Sequence, residues 1–188
     1  MEAIKTANSY HEVNSICPLL GWARQHHLNR HLKPMSFINR QWLRDMYTPP
    51  NFLVKSNAEF PTTLIVKKPV QIGMTERMLC EMFWRCADGW RGLYVMPTQT
   101  IRTGFVQDRL NRLFGYVPFY RQKILEGGEA DSVLQKHFGK GTMKFIGSNS
   151  ANEFIEYPAD IAVVDEYDDC KQENLIMVKD RLKASKFK

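Results

Sequence analysis

From Leu64 onward the chain switches repeatedly between short, mostly apolar runs and longer amphipathic stretches, and this alternation restricts the fold more than any other feature. The runs are Leu64-Ile65-Val66, Leu93-Tyr94-Val95-Met96, Met143-Lys144-Phe145-Ile146 and Ile161-Ala162-Val163-Val164, each bounded by Gly, Pro or Asp, and each reads as a strand. Between them the apolar spacing predicts helices from about Met74 to Arg85 and from about Thr98 to Phe114. Strands separated by helices imply an α/β fold with a mainly parallel sheet flanked by helices. Further upstream, Leu19, Leu20 and Trp22, then Phe37, Ile38, Trp42, Leu43 and Met46, recur at helical spacing, and Thr48-Pro49-Pro50-Asn51 closes that region. The expected division is an N-terminal helical segment over 1–50 and an α/β core over 51–188.

Composition narrows the class. With 188 residues, 44% of them hydrophobic and 24% charged, the chain can bury a real core, which excludes disorder, a collagen-like repeat or a coiled coil as a description of the whole. The net charge of +6 is unevenly spread. Residues 21–55 carry Arg24, Arg30, Lys33, Arg40, Arg44 and Lys55 against Asp45 alone, and the last eighteen residues carry six basic side chains against Glu173 and Asp180. Between these basic ends lies a slightly acidic middle. A polyanion such as nucleic acid fits that layout, and so does a solvated basic face.

No apolar run approaches the length of a membrane span, and the N-terminus lacks the apolar centre of a signal peptide. The expectation is a soluble, intracellular protein. Cys17, Cys80, Cys86 and Cys170 form no C-x-x-C pair and read as reduced, mostly buried thiols. His26, His27 and His31, flanked by Arg24 and Arg30, read as part of a basic surface helix rather than as metal ligands.

In parallel sheets, ligands bind off the carboxyl ends of the strands, so the chemistry is sought just after each apolar run. After Leu64-Ile65-Val66 comes Lys67-Lys68-Pro69-Val70-Gln71-Ile72-Gly73-Met74-Thr75, then a helix. A phosphate-binding loop needs inward-turned backbone N–H groups at a helix N-terminus, a glycine at the point of close approach, a hydroxyl for Mg2+ and a lysine for phosphate charge. Gly73 and Thr75 occupy the last glycine and hydroxyl positions of G-x-x-x-x-G-K-[ST], while Met74 stands at the lysine position and Lys68 at the first glycine. A lysine at the start of such a loop reaches the phosphates if the loop folds back, which makes Lys68 a physical substitute. The competing reading is a plain strand-to-helix turn, with Gly73 chosen for its geometry and Thr75 as a cap.

The run Ile161-Ala162-Val163-Val164 leads straight into Asp165-Glu166. ATP hydrolysis needs one acid to hold the Mg2+ shell and another to polarise the attacking water, and two consecutive carboxylates leaving a strand can divide these tasks. Asp168 and Asp169 follow, so a solvated acidic turn competes with this reading. Pro97-Thr98 marks a third strand end, at a helix start.

Together these residues resemble the ATPase domain of the large terminase subunit, the motor that packages DNA into tailed-bacteriophage heads, from about Phe37 to Asp169. Lys68, Gln71, Gly73 and Thr75 match the family's deviant Walker A loop, and Val163-Val164-Asp165-Glu166 looks like its Walker B strand. Gly141 to Ser148 is similar to its strand and Gly-Ser turn, Pro97-Thr98 sits at the motif after its second strand, and Phe37 with Gln41 looks like its adenine-contacting element. The resemblance implies an ASCE-type P-loop NTPase using ATP and Mg2+. The backbone over Ile72, Gly73, Met74 and Thr75, with Gln71, would cradle phosphate, and Thr75 and Asp165 would organise Mg2+. Lys68 would neutralise β/γ charge, and Glu166 would act as general base or water positioner. Pro97 and Thr98 would serve coupling. The implied partners are double-stranded DNA, a portal protein and a small terminase subunit, with a homo-oligomeric ring in the full motor, no membrane, and a place in the host cell cytoplasm.

The family continues past its Walker B strand into a Ser/Thr coupling motif and an RNase H-like nuclease, neither of which follows within these 188 residues. The expectation is therefore a C-terminally truncated ATPase core with no nuclease activity of its own. A superfamily 2 helicase-like translocase fragment is an alternative reading, although that class usually keeps lysine where Met74 stands. A decayed, non-catalytic ATPase fold that binds DNA or capsid proteins is another.

Overall fold

The computed structural model describes residues 18–38, 40–47, 63, 65–67, 72–128, 132, 134–155, 157–183 and 185. They fall into two compact units, Met1–Trp84 and Arg85–Lys188.

In the first unit, helix α1 (Pro18–His26) and helix α2 (Gln41–Tyr47) each expose polar side chains on one face and bury the other. Leu19, Leu20, Ala23, Phe37, Leu43, Tyr47 and Cys80 form the buried cluster, with Trp22, Met35, Met46 and Trp84 packed around it. Cys80 and Trp84 come from helix α3 (Met74–Ala87), whose start matches the predicted Met74 and whose end runs two residues past Arg85. The 26–31 stretch differs from its expectation of a surface helix. α1 ends at His26, His31 is exposed beyond it, and His27 is buried, its Nε2 donating to Glu76 Oε2 over 3.0 Å. A carboxylate forty-nine residues away, which no local pattern reveals, draws this imidazole inward.

The predicted strand Leu64-Ile65-Val66 is not found: Ile65 and Val66 are exposed and belong to no strand, and Leu64 lies outside the described residues. A strand exists only through ladder hydrogen bonds to a neighbour, and apolar character alone does not supply them.

The second unit contains a four-stranded sheet: β1 (Arg91–Met96), β2 (Gln135–Phe138), β3 (Gly141–Gly147) and β4 (Ile161–Val164), in the order β2-β3-β1-β4. β1 pairs in parallel with both β3 and β4, as expected, while β2 adds an antiparallel hairpin to β3. Side chains alternate across the central strand. Leu93 and Val95 join Ile146, Phe154, Tyr157 and Cys170 under Leu175 and Val178 of helix α7 (Gln172–Leu182). Tyr94 points to the other face, where its ring stacks on Phe105 and tilts against Phe145.

That other face is covered by the predicted 98–114 helix, which is α-helical over α4 (Gln99–Gly104), π-helical over Phe105–Leu110 and α-helical again over α5 (Asn111–Tyr116). Val117 is extended and Pro118 opens helix α6 (Pro118–Glu126), a position where proline's fixed φ and missing N–H cost nothing. Phe114, Tyr120 and Phe138 pack edge-on and tilted beneath this pair.

Candidate functional site

Register decides what the sheet presents at its carboxyl edge. Val95 lies opposite both Ile146 and Val164, and Met96 opposite Gly147. Pro97-Thr98, Ser148 and Asp165-Glu166 therefore leave three adjacent parallel strands at one level, where open α/β sheets bind ligands.

At the end of β4 the two acids are treated differently. Asp165 is buried; its amide donates to Val95 O over 3.0 Å, extending the ladder by one residue. Tyr94 Oη donates to Asp165 Oδ2 and the Glu166 amide to Asp165 Oδ1, both over 3.1 Å. Glu166 is exposed and left-handed, with φ 53° and ψ 52°. This conformation is uncommon for a residue with a side chain, and it turns the chain out of the strand direction at once. A short 3₁₀ turn, Tyr167–Asp169, follows.

The turn is fastened by Ser148, a fully buried residue. Its Oγ donates to Pro97 O over 2.7 Å and accepts from the Lys171 amide over 2.8 Å, while its carbonyl accepts from Asn174 Nδ2. Cys170 Sγ lies 3.7 Å from Asp165 O. Burial pushes the Cys170 thiol pKa up; the Ser148 hydrogen bond opposes this, and the negative charges of Asp165, Asp169 and Glu166 add to it.

Pro97-Thr98 forms the neighbouring corner. Thr98 Oγ1 accepts from the Ile101 amide, capping α4. The Gln99 amide donates to Asn149 Oδ1, and Gln99 Nε2 donates to Glu153 Oε1. Glu153 also takes Arg102 Nη1 on Oε1, over 3.0 Å, and the Gly147 amide on Oε2, over 2.8 Å. A Cβ at Gly147 would lie 2.3 Å from the Gln99 amide nitrogen, so only glycine lets β3 end against the start of α4.

In the first unit, Gly73 precedes α3 with φ +85°, and its carbonyl accepts from the Arg77 amide. Ile72 and Thr75 are half-buried and Met74 is buried. Glu76, in the first turn, accepts from the Arg30 amide as well as from His27, and Arg77 Nε donates to Met46 O and pairs with Glu81. Lys68 and Gln71 lie outside the described residues. Phe37 is buried edge-on against Tyr47, and Gln41 is exposed, donating to Asp45.

Among the described residues no three His, Cys, Asp or Glu side chains cluster as a self-contained metal cage. A Mg2+ that shares phosphate oxygens needs only one or two protein oxygens, and a pinned carboxylate such as Asp165 is a fitting hard donor. Sequence reasoning missed Tyr94 and Glu153 in this edge, because their partners lie 71 and 54 residues away or arrive on turns with no motif.

A family model described as the phage terminase large subunit gpA, ATPase domain, matches residues 53–183, more than two thirds of the chain. The chain belongs to that terminase family. The matched span of this terminase ATPase domain takes in the Gly73 loop, all four strands and α7, whereas Phe37 and Gln41 precede it. No curated protein and no solved structure matches the chain in the corresponding comparisons. Among the described residues, no helix of this terminase domain is long and apolar enough to cross a membrane.

Proposed function

We propose that this terminase domain is an ASCE-type ATPase that binds ATP with Mg2+ and hydrolyses it to drive double-stranded DNA into a procapsid. The observation that carries the reading is the division of labour between neighbouring acids at the end of β4: Asp165 is buried and doubly hydrogen-bonded, and Glu166 is exposed on a strained backbone. Strain of this kind is retained where surrounding structure enforces it, often at sites of chemistry. In this reading the amides from Ile72 to Thr75, with Gln71, cradle phosphate, and Lys68 neutralises β/γ charge in the position Met74 cannot serve. Thr75 and Asp165 hold Mg2+, which supplies charge neutralisation on the phosphates when bound. Glu166 orients and deprotonates the attacking water. Phe37 and Gln41 contact adenine, and Pro97-Thr98 couples the nucleotide site to movement of DNA. The working assembly is a ring of copies with a portal protein and a small terminase subunit, in the host cytoplasm.

The test is paired. Glu166→Gln keeps ATP binding and abolishes turnover, and Lys68→Ala lowers turnover sharply, since such charge stabilisation is worth several kcal/mol in the transition state. Loss of binding in Glu166→Gln makes that carboxylate structural, and unchanged turnover in Lys68→Ala rejects the loop assignment. One observation favours a second reading, a non-catalytic scaffold for DNA or capsid proteins: Met74, at the usual lysine position, is buried in the fold. DNA-stimulated ATP turnover separates the two, because the scaffold shows neither turnover nor nucleotide binding.

A further inference from the structure

Tyr94 sits mid-strand in β1, fully buried, with its ring stacked on Phe105 at 5.7 Å and tilted against Phe145 at 5.8 Å. Packing alone would be served by phenylalanine, because a phenolic O–H taken out of water costs stability unless it finds an acceptor. Here the acceptor is a functional-site carboxylate: Tyr94 Oη donates to Asp165 Oδ2 over 3.1 Å. The two aromatic neighbours restrict the ring, so the direction of the O–H is set by the core. The Glu166 amide holds the second oxygen, Oδ1, from the other side of the carboxylate. Two donors on different oxygens fix both the position and the plane of the group. Phe105 opens the π-helical segment, a helix type frequent at functional sites.

We infer that Tyr94 is a positioning residue: its hydroxyl holds the Asp165 carboxylate in the orientation that receives the metal of a metal–ATP complex. This rests on the reading of Asp165 as the Mg2+ ligand. Supporting residues behind a metal ligand typically change metal affinity tenfold or more when removed, while the bare nucleotide, held elsewhere, is unaffected.

The experiment uses the whole chain, Mn2+ as a spectroscopic stand-in for Mg2+, and a non-hydrolysable ATP analogue. Electron paramagnetic resonance measures Mn2+ affinity of the analogue-loaded protein, and fluorescence measures analogue affinity without metal. Tyr94→Phe, which removes one oxygen atom, is expected to stay folded with a lower thermal midpoint and to keep its metal-free analogue affinity while binding Mn2+ about tenfold more weakly. In an Asp165→Asn background the same substitution adds no further loss, because the tyrosine acts only through that carboxylate. Unchanged Mn2+ affinity in Tyr94→Phe overturns the inference, and so does an equal further loss in the Asn background. Absence of metal-dependent analogue binding in the unsubstituted chain overturns instead the assignment of Asp165, and the positioning role with it.

Discussion

Arg91 and Asp160 lock the amino ends of β1 and β4 together: Arg91 Nε donates to Asp160 Oδ2 over 2.9 Å and Nη2 to Oδ1 over 2.8 Å, while the Arg91 amide also reaches Oδ2 over 2.9 Å. The Asp160 amide returns a bond to Arg91 O. The carboxylate side chain is wholly buried and the guanidinium largely so. The hydrogen bond to Asp160 holds the Arg91 pKa above even its ordinary high value, so this guanidinium stays charged at every accessible pH. The pair sets the β1–β4 register, and that register puts Asp165 beside the end of β1. Asp160→Ala is therefore expected to destabilise the fold by about 3 kcal/mol, because it strands a partly buried charge, and Asp160→Asn by less. Urea unfolding of the two variants measures both.

Glu153 does comparable work at the carboxyl edge, where one carboxylate joins the end of β3, through the Gly147 amide, to α4, through Gln99 and Arg102. Arg102 is buried, so this is no surface ion pair. Glu153→Ala should cost about 3 kcal/mol in denaturant unfolding. Glu153→Gln, which can still accept from Gly147, should cost distinctly less. Equal and small losses would show that Arg102 is satisfied without this partner.

The parts of this architecture that were legible in sequence are those where one segment carries its own signal. Ile161–Val164 was readable at both ends because four apolar residues run into two acids, and β1 and β3 because their apolar runs are bounded by Gly and Pro. β2 was missed because an inward-facing position of Gln135–Phe138 is a lysine, Lys136, buried against expectation. α7 was missed as well, its Leu175 and Val178 being too few to stand out from a basic, polar tail. Long-range polar partners leave no local trace at all. His27 to Glu76 and Tyr94 to Asp165 are examples, joined only by the fold across 49 and 71 residues. The Leu64-Ile65-Val66 expectation failed for the converse reason, an apolar run without the ladder that makes a strand.

Two left-handed residues give opposite stability predictions. At Gly73, φ +85°, an added Cβ would meet only Leu43 Cδ1 at 3.6 Å, an ordinary contact, so the cost of Gly73→Ala is backbone strain, about 1–2 kcal/mol. Gly73→Asn should lose less and Gly73→Val more, following the ease with which each side chain adopts positive φ.

Glu166 already bears that strain at φ 53°. Glu166→Gly is expected to leave the fold as stable or up to about 1 kcal/mol more stable, while ATP turnover disappears with the carboxylate. A clear loss of stability would mean that the Glu166 side chain, although exposed, contributes to the fold. Thermal unfolding and a turnover assay on the same sample separate strain from chemistry.

The thiols give a pH prediction. Cys80, Cys86 and Cys170 are buried. Burial pushes the Cys86 pKa up strongly, and it raises that of Cys170 with help from the neighbouring acids. A group whose folded pKa lies above its unfolded value, about 8.5 for a thiol, is held protonated by the fold. Its contribution is fully present below that pH and is lost as pH rises through it, because the unfolded chain then releases protons that the folded chain retains. Tyr157, likewise raised mainly by burial, acts in the same direction from about pH 10 upward. Stability should therefore fall between about pH 8.5 and 11, in urea unfolding repeated across that range. At pH 8 Cys86 and Cys170 should react with iodoacetamide far more slowly than in the unfolded chain, since only thiolate attacks. Rapid labelling of Cys170 in the folded protein would show that the turn closed by Ser148 opens on the labelling timescale.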